Sequence, residues 1–282
     1  MNPGTLFVVA TPIGNLGDLS PRAAEVLAQV ALIAAEDTRV TKRLLQHIGC
    51  DTRMLSLHDH NESQRVAGLL ERLQAGEDVA LVSDAGTPLI NDPGYTLVKT
   101  VRQSGVKVVP IPGPSALITA LLVAGLPTDR FVYEGFLSSK PAARRARLKE
   151  LAQESRTLVF YESPHRILAT LADLRDVFGA DREAVLAREL TKTFETLHGD
   201  QLGALYEWVE ADSNQQRGEF VLVVAGVSEV AESSEVDEEH LLQVLLEELP
   251  VKQAASLAAR ITGGKRNALY ARALQLQKDQ NS

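Results

Sequence analysis

The strongest constraint on the fold is a set of short apolar runs that lack the polar alternation of a half-exposed strand. Four of these runs fall in the first half of the chain, at 6–10, 30–34, 79–82 and 106–111. Uninterrupted apolar runs of this length are typical of parallel strands that are covered on both faces. Between two of the runs, valine and leucine recur at helical spacing over 66–73 and stop before Gly76, a common helix end. The pattern predicts an α/β fold.

A second group of strand-like runs predicts a second α/β domain. These runs begin after Pro127 and lie at 131–136, 157–161, 184–187 and 219–224. We therefore place an N-terminal α/β domain at 1–125 and a C-terminal α/β domain at 126–228.

The rest of the chain predicts a linker and a small helical unit. Residues 229–240 are rich in Glu and Asp and contain neither Lys nor Arg, which is typical of a solvated acidic linker. Residues 241–282 contain three short helical patterns, broken at Pro250 and at Gly263. Their length and glycine turn resemble a helix-turn-helix, and a packing module or a dimer element explains them equally well.

Composition excludes several classes of protein. The 282 residues include one cysteine, Cys50, so the chain has no disulfide framework or thiolate metal cluster and suits a reducing environment. No run approaches the roughly 20 apolar residues of a membrane helix, and the N-terminus carries no targeting pattern. We therefore expect a cytoplasmic protein without a membrane span.

Charge limits where a nucleic acid could bind. The net charge of -8 argues against RNA binding over the whole surface, because phosphate binding depends on neutralisation and counterion release. Any RNA site must therefore be local. Basic side chains cluster in two places, and a solvated helix face is the alternative explanation for each cluster. The candidates for RNA contact are Arg144, Arg145, Arg147, Lys265 and Arg266.

Three loops rich in glycine and proline follow predicted strands, at 11–18, 83–88 and 112–115. In an open parallel sheet, ligands bind beyond the carboxyl ends of the strands, and glycine and proline let the main chain approach a ligand in a fixed turn. The loops lack the Lys-Ser or Lys-Thr of a phosphate loop and the third glycine of a dinucleotide fingerprint. They favour a nucleoside-sized ligand held largely by main chain, with ordinary tight turns as the alternative.

The motifs in and around these loops resemble the tetrapyrrole methylase superfamily. They are VATPIGNLG at 9–17, AEDTRVT at 35–41, VSDAGTPLINDPG at 82–94 and PIPGPSA at 110–116, with SLHDHNE at 56–62, YESPHR at 161–166 and RELTKTFE at 188–195. Within the superfamily, the chain is most similar to bacterial enzymes that methylate a ribose 2'-hydroxyl of small-subunit ribosomal RNA. The resemblance covers roughly residues 4–227 and continues weakly beyond them.

The resemblance implies a homodimer of chains with two α/β domains of the tetrapyrrole methylase type. S-adenosylmethionine would bind in the cleft between the domains, and no metal would take part. The substrate would be a cytidine ribose in the decoding region of 16S ribosomal RNA, either free or within the 30S subunit. The residues that would hold the cofactor are Ile13, Gly14, Asp84, Ala85, Gly86, Thr87, Pro88, Ser115, Ala116 and Tyr161.

Methyl transfer to a hydroxyl needs an acceptor held in line and a group that takes the proton. Candidates for the proton acceptor are Glu36, Asp37, His58, Asp59, His60, His165 and Lys192. We prefer Asp37 or His58 near the acceptor, with Arg39 on a neighbouring phosphate, because both segments should leave first-domain strands on the cofactor side. A structural ion pair of Asp37 with Arg39, and a turn role for His58, are the alternatives.

Two other functions stay open at this point. The cofactor loops alone are compatible with a carbon methyltransferase acting on a corrin or porphyrin precursor, although the basic cluster at 140–149 and the helical unit favour a large polyanion. A regulator that reads DNA through the helical unit is the third hypothesis. Its last helix offers few side chains suited to base edges beyond Arg266 and Asn267.

Overall fold

The computed structural model describes residues 2–227 and 238–280. The chain divides into two compact units, Met1–Gly226 and Val227–Ser282. In the described part of the chain, no helix is both long enough and apolar enough to cross a membrane. The predicted acidic linker at 229–240 lies outside the described residues, apart from the helical backbone at 238–240. The predicted domain boundaries stay predictions.

The first part of the larger unit is a parallel sheet with helices between its strands. The strands are β1 (Thr5–Val9), β2 (Leu32–Ala35), β3 (Met54–Ser56), β4 (Val79–Val82) and β5 (Lys107–Ile111). They pair in the order β3-β2-β4-β1-β5, and every pair is parallel. The helices are α1 (Pro21–Gln29), α2 (Thr38–Ile48), α3 (Glu62–Gln74) and α4 (Tyr95–Gln103). β2 and β4 are buried at every position, as their unbroken apolar runs predict.

The second part of the larger unit is a mixed sheet. The elements in chain order are α5 (Ala116–Ala124), β6 (Phe131–Phe136), α6 (Pro141–Leu151), β7 (Thr157–Glu162), α7 (Ile167–Phe178), β8 (Glu183–Arg188), β9 (Thr196–Gln201), α8 (Leu202–Ala211) and β10 (Phe220–Val224). The strand order is β6-β7-β10-β8-β9, in which β6 and β7 are parallel and the other pairs antiparallel. The predicted fold class is confirmed. The sequence patterns miss β3, which has three half-buried residues, and β9, which is mostly exposed.

Helix α5 joins the two sheets. It packs on one face of the second sheet, while α6, α7 and α8 cover the other face. The side chains of β10 alternate accordingly, because Val221 and Val223 pack with α5 and Leu222 packs with the helices opposite. Ile13, from the loop after β1, belongs to the α5 cluster. The loop after β1, where a ligand is expected, is therefore held against the second sheet by a shared apolar cluster.

The described residues of the smaller unit, 238–280, form three helices, α9 (Glu238–Glu248), α10 (Val251–Thr262) and α11 (Arg266–Gln280). Its buried core is formed by Leu242, Ala255, Ala258, Leu269, Ala273 and Leu276. Gly263 ends α10 in a left-handed conformation with φ of 72°, where a side chain would be strained. The prediction of three helices with a glycine turn is confirmed.

Candidate active site

The three loops predicted at the ligand edge meet in the structure. Strand β1 lies between β4 and β5, so the loops that follow these strands are neighbours. Thr11 and Gly86 exchange two backbone hydrogen bonds, with N···O distances of 2.8 and 3.0 Å, between the loops after β1 and β4. The Thr87 hydroxyl donates to the Pro114 carbonyl at 3.0 Å and ties in the loop after β5. The main chain of all three loops therefore forms one continuous floor.

The ends of two strands of the second sheet, β7 and β10, face this floor. Because β10 runs antiparallel to β7, its first residue, Phe220, lies beside Glu162 at the end of β7. The neighbouring Tyr161 reaches back to α5, where its hydroxyl accepts the backbone N–H of Leu117 at 3.0 Å. Its ring also contacts Phe136 edge to face, with 5.7 Å between centroids, a favourable aromatic arrangement. Strand ends of the second sheet thus supply an aromatic wall.

A cavity of about 290 Å³, which we call the cleft cavity, lies between the floor and this wall. Predicted cofactor residues that line it are Ile13, Asp84, Ala85, Gly86, Thr87, Ser115, Ala116 and Tyr161. Gly14 and Pro88 lie in the same loops but outside the lining. Lining residues that sequence reasoning did not assign to the cofactor are Glu36, Ile90, Asn91, Asp92, Phe136, Glu162, Ala187, Leu190, Glu219, Phe220 and Val221. The motif at 82–94 contains three of them and could have predicted them.

Of the five acidic residues that line the cleft cavity, Glu36, Asp84 and Asp92 lie close enough to repel one another. Asp84 accepts the backbone N–H of Asp37 at 2.9 Å, and Glu36 accepts the backbone N–H of Asp84 at 3.2 Å, so the loops after β2 and β4 hold each other. Burial raises the pKa of Glu36 and of Asp84, and it raises the pKa of Asp92 to about 6. Repulsion among these carboxylates adds to the rise in pKa. A cationic ligand would favour their charged forms and so offset both effects. Below a pH of about 6, protonation of Asp92 would weaken that attraction.

The segment that carries Asp92 is held by a contact between the two sheets. Asn91 has a left-handed φ of 69°, which asparagine tolerates better than most residues. Its side-chain oxygen accepts the Tyr133 hydroxyl at 3.1 Å. A Cβ at Gly135 of β6 would lie 2.5 Å from the same oxygen. Glycine at this position therefore lets the Asp92 segment lie directly against the second sheet.

The predicted catalytic pair, Asp37 and Arg39, forms a local ion pair at the start of α2. The Asp37 carboxylate caps the helix by accepting the backbone N–H of Arg39 at 2.8 Å. It also binds the Arg39 guanidinium at 2.6 Å, although the Arg39 side chain is 89% exposed. Hydrogen bonds from Arg39 lower the pKa of Asp37 to about 2, which makes Asp37 a weak proton acceptor. This geometry fits the structural ion pair, and a catalytic role for the pair stays a prediction.

The third predicted catalytic residue, His58, follows β3 at the edge of the first sheet. Its Nε2 lies 3.0 Å from the Asn61 side-chain nitrogen, and its backbone N–H donates to the Asn61 side-chain oxygen at 2.9 Å. Its Nδ1 is buried and has no hydrogen-bond partner among the described residues. His58 is absent from the lining of the cleft cavity, because β2 separates β3 from β4. Its turn contacts fit the structural alternative, and its role as a base stays a prediction.

A second cavity, of about 490 Å³, adjoins the cleft cavity, and we call it the α2 cavity. Gly14 lines this cavity and packs on the stem of Lys192, whose Cγ would lie 2.4 Å from a Cβ at position 14. The Lys192 ammonium pairs with Glu189 and Glu219 at 2.9 Å each. Burial acts to lower the pKa of Lys192, but these two hydrogen bonds raise it overall. Lys192 is therefore a cation and a poor proton acceptor.

The predicted RNA-contact arginines of α6 differ in exposure. Arg144 is 4% exposed, and its guanidinium donates to the Asp173 carboxylate of α7 at 2.6 Å, so it belongs to the core rather than to a binding surface. Arg145 shares Asp173 but is exposed, and Arg147 pairs with two glutamates at the surface. The RNA proposal is therefore kept for the exposed cations, which are Arg145, Arg147, Lys265 and Arg266.

Comparison with known families identifies this arrangement. A family model described as tetrapyrrole (corrin/porphyrin) methylases matches residues 5–206. The chain belongs to the tetrapyrrole methylase family. A second model, described as the RsmI C-terminal HTH domain, matches residues 232–277, in agreement with the helix-turn-helix hypothesis for the helical unit of this tetrapyrrole methylase.

Curated relatives match this tetrapyrrole methylase along almost its whole length. A Pseudomonas aeruginosa protein named ribosomal RNA small subunit methyltransferase I is 58% identical over 279 residues, which are 98% of this chain and 99% of the relative. The Escherichia coli O157:H7 protein of the same name is 57% identical over 274 residues, or 97% of this chain and 96% of the relative. A Synechocystis protein of that name is 48% identical over 280 residues, covering 98% and 99%.

Solved structures of tetrapyrrole methylases share the fold. A cobalt precorrin-4 methyltransferase aligns with a TM-score of 0.59 and 16% identity, over 78% of this chain and 94% of its own. A uroporphyrin-III-C-methyltransferase from Thermus thermophilus aligns with a TM-score of 0.55 and 18% identity, over 81% and 97%. At such identities the likeness establishes the two-sheet fold and nothing about the substrate.

Proposed function

We propose that this tetrapyrrole methylase transfers a methyl group from S-adenosylmethionine to the ribose 2'-hydroxyl of a cytidine in the decoding region of 16S ribosomal RNA. The supporting observation is the identity of 58% and 57% to two proteins named ribosomal RNA small subunit methyltransferase I, over 98% and 97% of this chain. The protein would act in the cytoplasm, on 16S RNA either free or within the 30S subunit. The proposal involves no metal.

The chemistry of the cleft cavity fits S-adenosylmethionine. The three tied loops offer fixed backbone groups for a nucleoside, and Tyr161 and Phe136 offer aromatic surface for its base. The carboxylates of Glu36, Asp84 and Asp92 offer negative charge to a sulfonium cation. We therefore keep the predicted cofactor residues that line the cavity and add Asp92. Gly14 and Pro88 would act by shaping the loops.

The residues of the chain must hold the acceptor oxygen and remove its proton. The bound cofactor would supply an electrophilic methyl carbon. The acceptor oxygen would bond to it in line with the C–S bond, which would break and leave S-adenosylhomocysteine. Correct positioning can supply up to roughly 7–11 kcal/mol in well-oriented reactions. Of the predicted proton acceptors, Glu36 lines the cleft cavity, and burial raises its pKa towards the working range of a general base. We therefore propose Glu36 for this step ahead of Asp37 and His58, with Arg39 on a neighbouring phosphate.

The proposed function is tested on 30S subunits and free 16S RNA from a strain that lacks this gene. With purified protein and methyl-labelled S-adenosylmethionine, we expect one new methyl group per RNA, on a cytidine ribose of the decoding region in mass mapping. If only 30S subunits or only free 16S RNA becomes labelled, the labelled form is the substrate of the protein. A parallel incubation contains a uroporphyrinogen. Methylation of the tetrapyrrole without methylation of RNA would contradict the proposal and support the carbon methyltransferase alternative.

We also propose that the protein is a homodimer that uses the outer face of α5. This helix is apolar on both sides, because Leu117 and Leu121 are buried whereas Ile118 and Leu122 are 47% and 78% exposed. Strand β9 contacts α5 and adds Leu197, which is 45% exposed. Contiguous exposed apolar side chains of this kind are typical of protein interfaces.

Replacing Leu122 with glutamate is expected to convert the dimer into a monomer at micromolar concentration, because it places a charge in the apolar contact. Light scattering on a sizing column should report half the mass of the unsubstituted protein. Tyr95→Glu on α4 is the matched control, since Tyr95 is also well exposed, at 65%, and should leave the mass unchanged. A Leu122→Glu protein that keeps the dimer mass would exclude α5 as the interface.

A further inference from the structure

We infer that the α2 cavity binds the acceptor nucleotide of the RNA, with Arg43 on one of its phosphates. This inference rests on the proposed function and names the substrate subsite within it. The family resemblance assigns Ile13, Gly14, Asp84 and Ala85 of its lining to the cofactor, but it assigns neither Arg43 nor the α2 side of the cavity to any ligand. The cavity lies between α2, the loops after β1 and β4, and the loop after β8.

The position of the α2 cavity suits an acceptor. Ile13, Asp84, Ala85 and Glu219 line both this cavity and the cleft cavity. The two spaces therefore share a wall rather than lie at separate places on the surface. A sugar at that wall would approach a donor in the cleft cavity, as in-line transfer requires.

The apolar part of the lining suits a nucleobase. Leu16 and Val40 are 42% and 39% exposed at this cavity, although large apolar side chains usually prefer burial. Pro12 extends the same apolar surface, and Leu44 is buried beneath it. A base placed against these side chains would cover surface that water covers in the free protein.

The charged part of the lining suits a phosphate at the α2 side. Arg43 and Val40 are three residues apart on α2, so one helix face presents both to the cavity. Within residues 2–227 and 238–280, the Arg43 side chain has no recorded ion pair or hydrogen bond, whereas Arg39 is held by Asp37 and Lys192 by two glutamates. A guanidinium without a carboxylate partner is suited to bidentate phosphate binding.

The acidic residues of the α2 cavity set the direction of the ligand. Asp84 and Glu219 both lie in the shared wall, where they would repel a phosphate. Glu219 is also partly neutralised by Lys192 at 2.9 Å. A nucleotide therefore fits with its phosphate at Arg43 and its sugar at the shared wall, which is the orientation that methyl transfer to a ribose needs.

The test compares Arg43→Gln with Lys42→Gln. Lys42 is the matched control because it is an exposed cation on the same helix and lies outside the α2 cavity lining. Steady-state methylation of the RNA form that the unsubstituted protein accepts gives KM and kcat, and calorimetry gives the Kd for S-adenosylmethionine. For Arg43→Gln we expect about a tenfold rise in KM for RNA. The slope of log KM against log salt should fall by about one. Donor Kd should be unchanged, and Lys42→Gln should match the unsubstituted protein.

Each other outcome overturns a defined part of this account. Equal KM and equal salt slope in Arg43→Gln and Lys42→Gln would contradict the proposed nucleotide subsite and would leave the proposed function unaffected. Loss of donor binding in Arg43→Gln would place Arg43 in the cofactor site instead. No RNA methylation by the unsubstituted protein would contradict the proposed function and, with it, the subsite. Matching thermal unfolding of all three proteins excludes a folding defect.

Discussion

Replacing Asp173 with alanine is expected to lower the free energy of unfolding of the larger unit by about 3–5 kcal/mol. Asp173 is 2% exposed and receives Arg144, which is 4% exposed, at 2.6 Å. Alanine would leave the Arg144 charge buried without its counterion, and this unpaired charge dominates the cost. Urea unfolding followed by the fluorescence of Trp208 measures the change. Trp208 is the only tryptophan in the sequence, and it packs on the apolar core between the second sheet and α6, α7 and α8.

Arg145→Ala is the control for this prediction. Arg145 shares the Asp173 carboxylate, but its side chain is 55% exposed, so its loss should leave the urea midpoint nearly unchanged. Equal losses of stability in Asp173→Ala and Arg145→Ala would contradict the assignment of Arg144 to the core.

The difference between these arginines also decides how RNA binding should be tested. Arg145 and Arg147 can be replaced together, whereas a variant that includes Arg144 would mix a folding defect with a lost contact.

The first sheet could be predicted from local patterns because its signals act within a few residues. β4 has its predicted bounds, Val79–Val82, since four consecutive buried apolar residues identify a strand covered on both faces. The three loops at 11–18, 83–88 and 112–115 were equally visible, because glycine and proline mark tight turns after strands. Their role in binding a ligand stays a prediction. Thr11 and Gly86 then pair across two of these loops, as expected of neighbouring strand ends.

The burial of Arg144 could not be predicted, because a basic run has the same letters whether it faces water or the core. Arg144 and Arg145 are adjacent, yet the helix turns one inward and the other outward. The partner that decides between them, Asp173, lies 29 residues further along the chain. Only the packing of α6 on α7 brings the two together.

Apart from Tyr161, the residues that the second sheet and its loops contribute to the cleft cavity were missed for a similar reason. Phe220 and Val221 are ordinary apolar residues without a motif that marks a ligand. They reach the cleft cavity because β10 returns antiparallel between β7 and β8, and no local pattern specifies that pairing. His58 shows the converse case, since its motif was visible but the strand order places it away from the cavity lining. Its role as a base stays a prediction.

Replacing Asp84 with alanine is expected to weaken the binding of S-adenosylmethionine by about 100-fold. Asp84 is one of the carboxylates that line the cleft cavity, and it also accepts the backbone N–H of Asp37 at 2.9 Å. Alanine would remove a negative charge that attracts a sulfonium cation and would release the loop after β2. Isothermal titration calorimetry on the purified protein measures the Kd directly.

Two comparisons separate the charge of Asp84 from its structural contact. Asp84→Asn keeps an oxygen that can accept the Asp37 N–H and loses only the charge, so its Kd for the donor should rise less than that of Asp84→Ala. S-adenosylhomocysteine lacks the sulfonium charge, so both variants should weaken its binding less than that of the donor. Asp18→Ala, an exposed carboxylate of the loop after β1, should change neither Kd. Unchanged affinity for S-adenosylmethionine in Asp84→Ala would contradict the proposal that the loop after β4 holds the cofactor. It would also contradict the attraction of the sulfonium cation by this carboxylate.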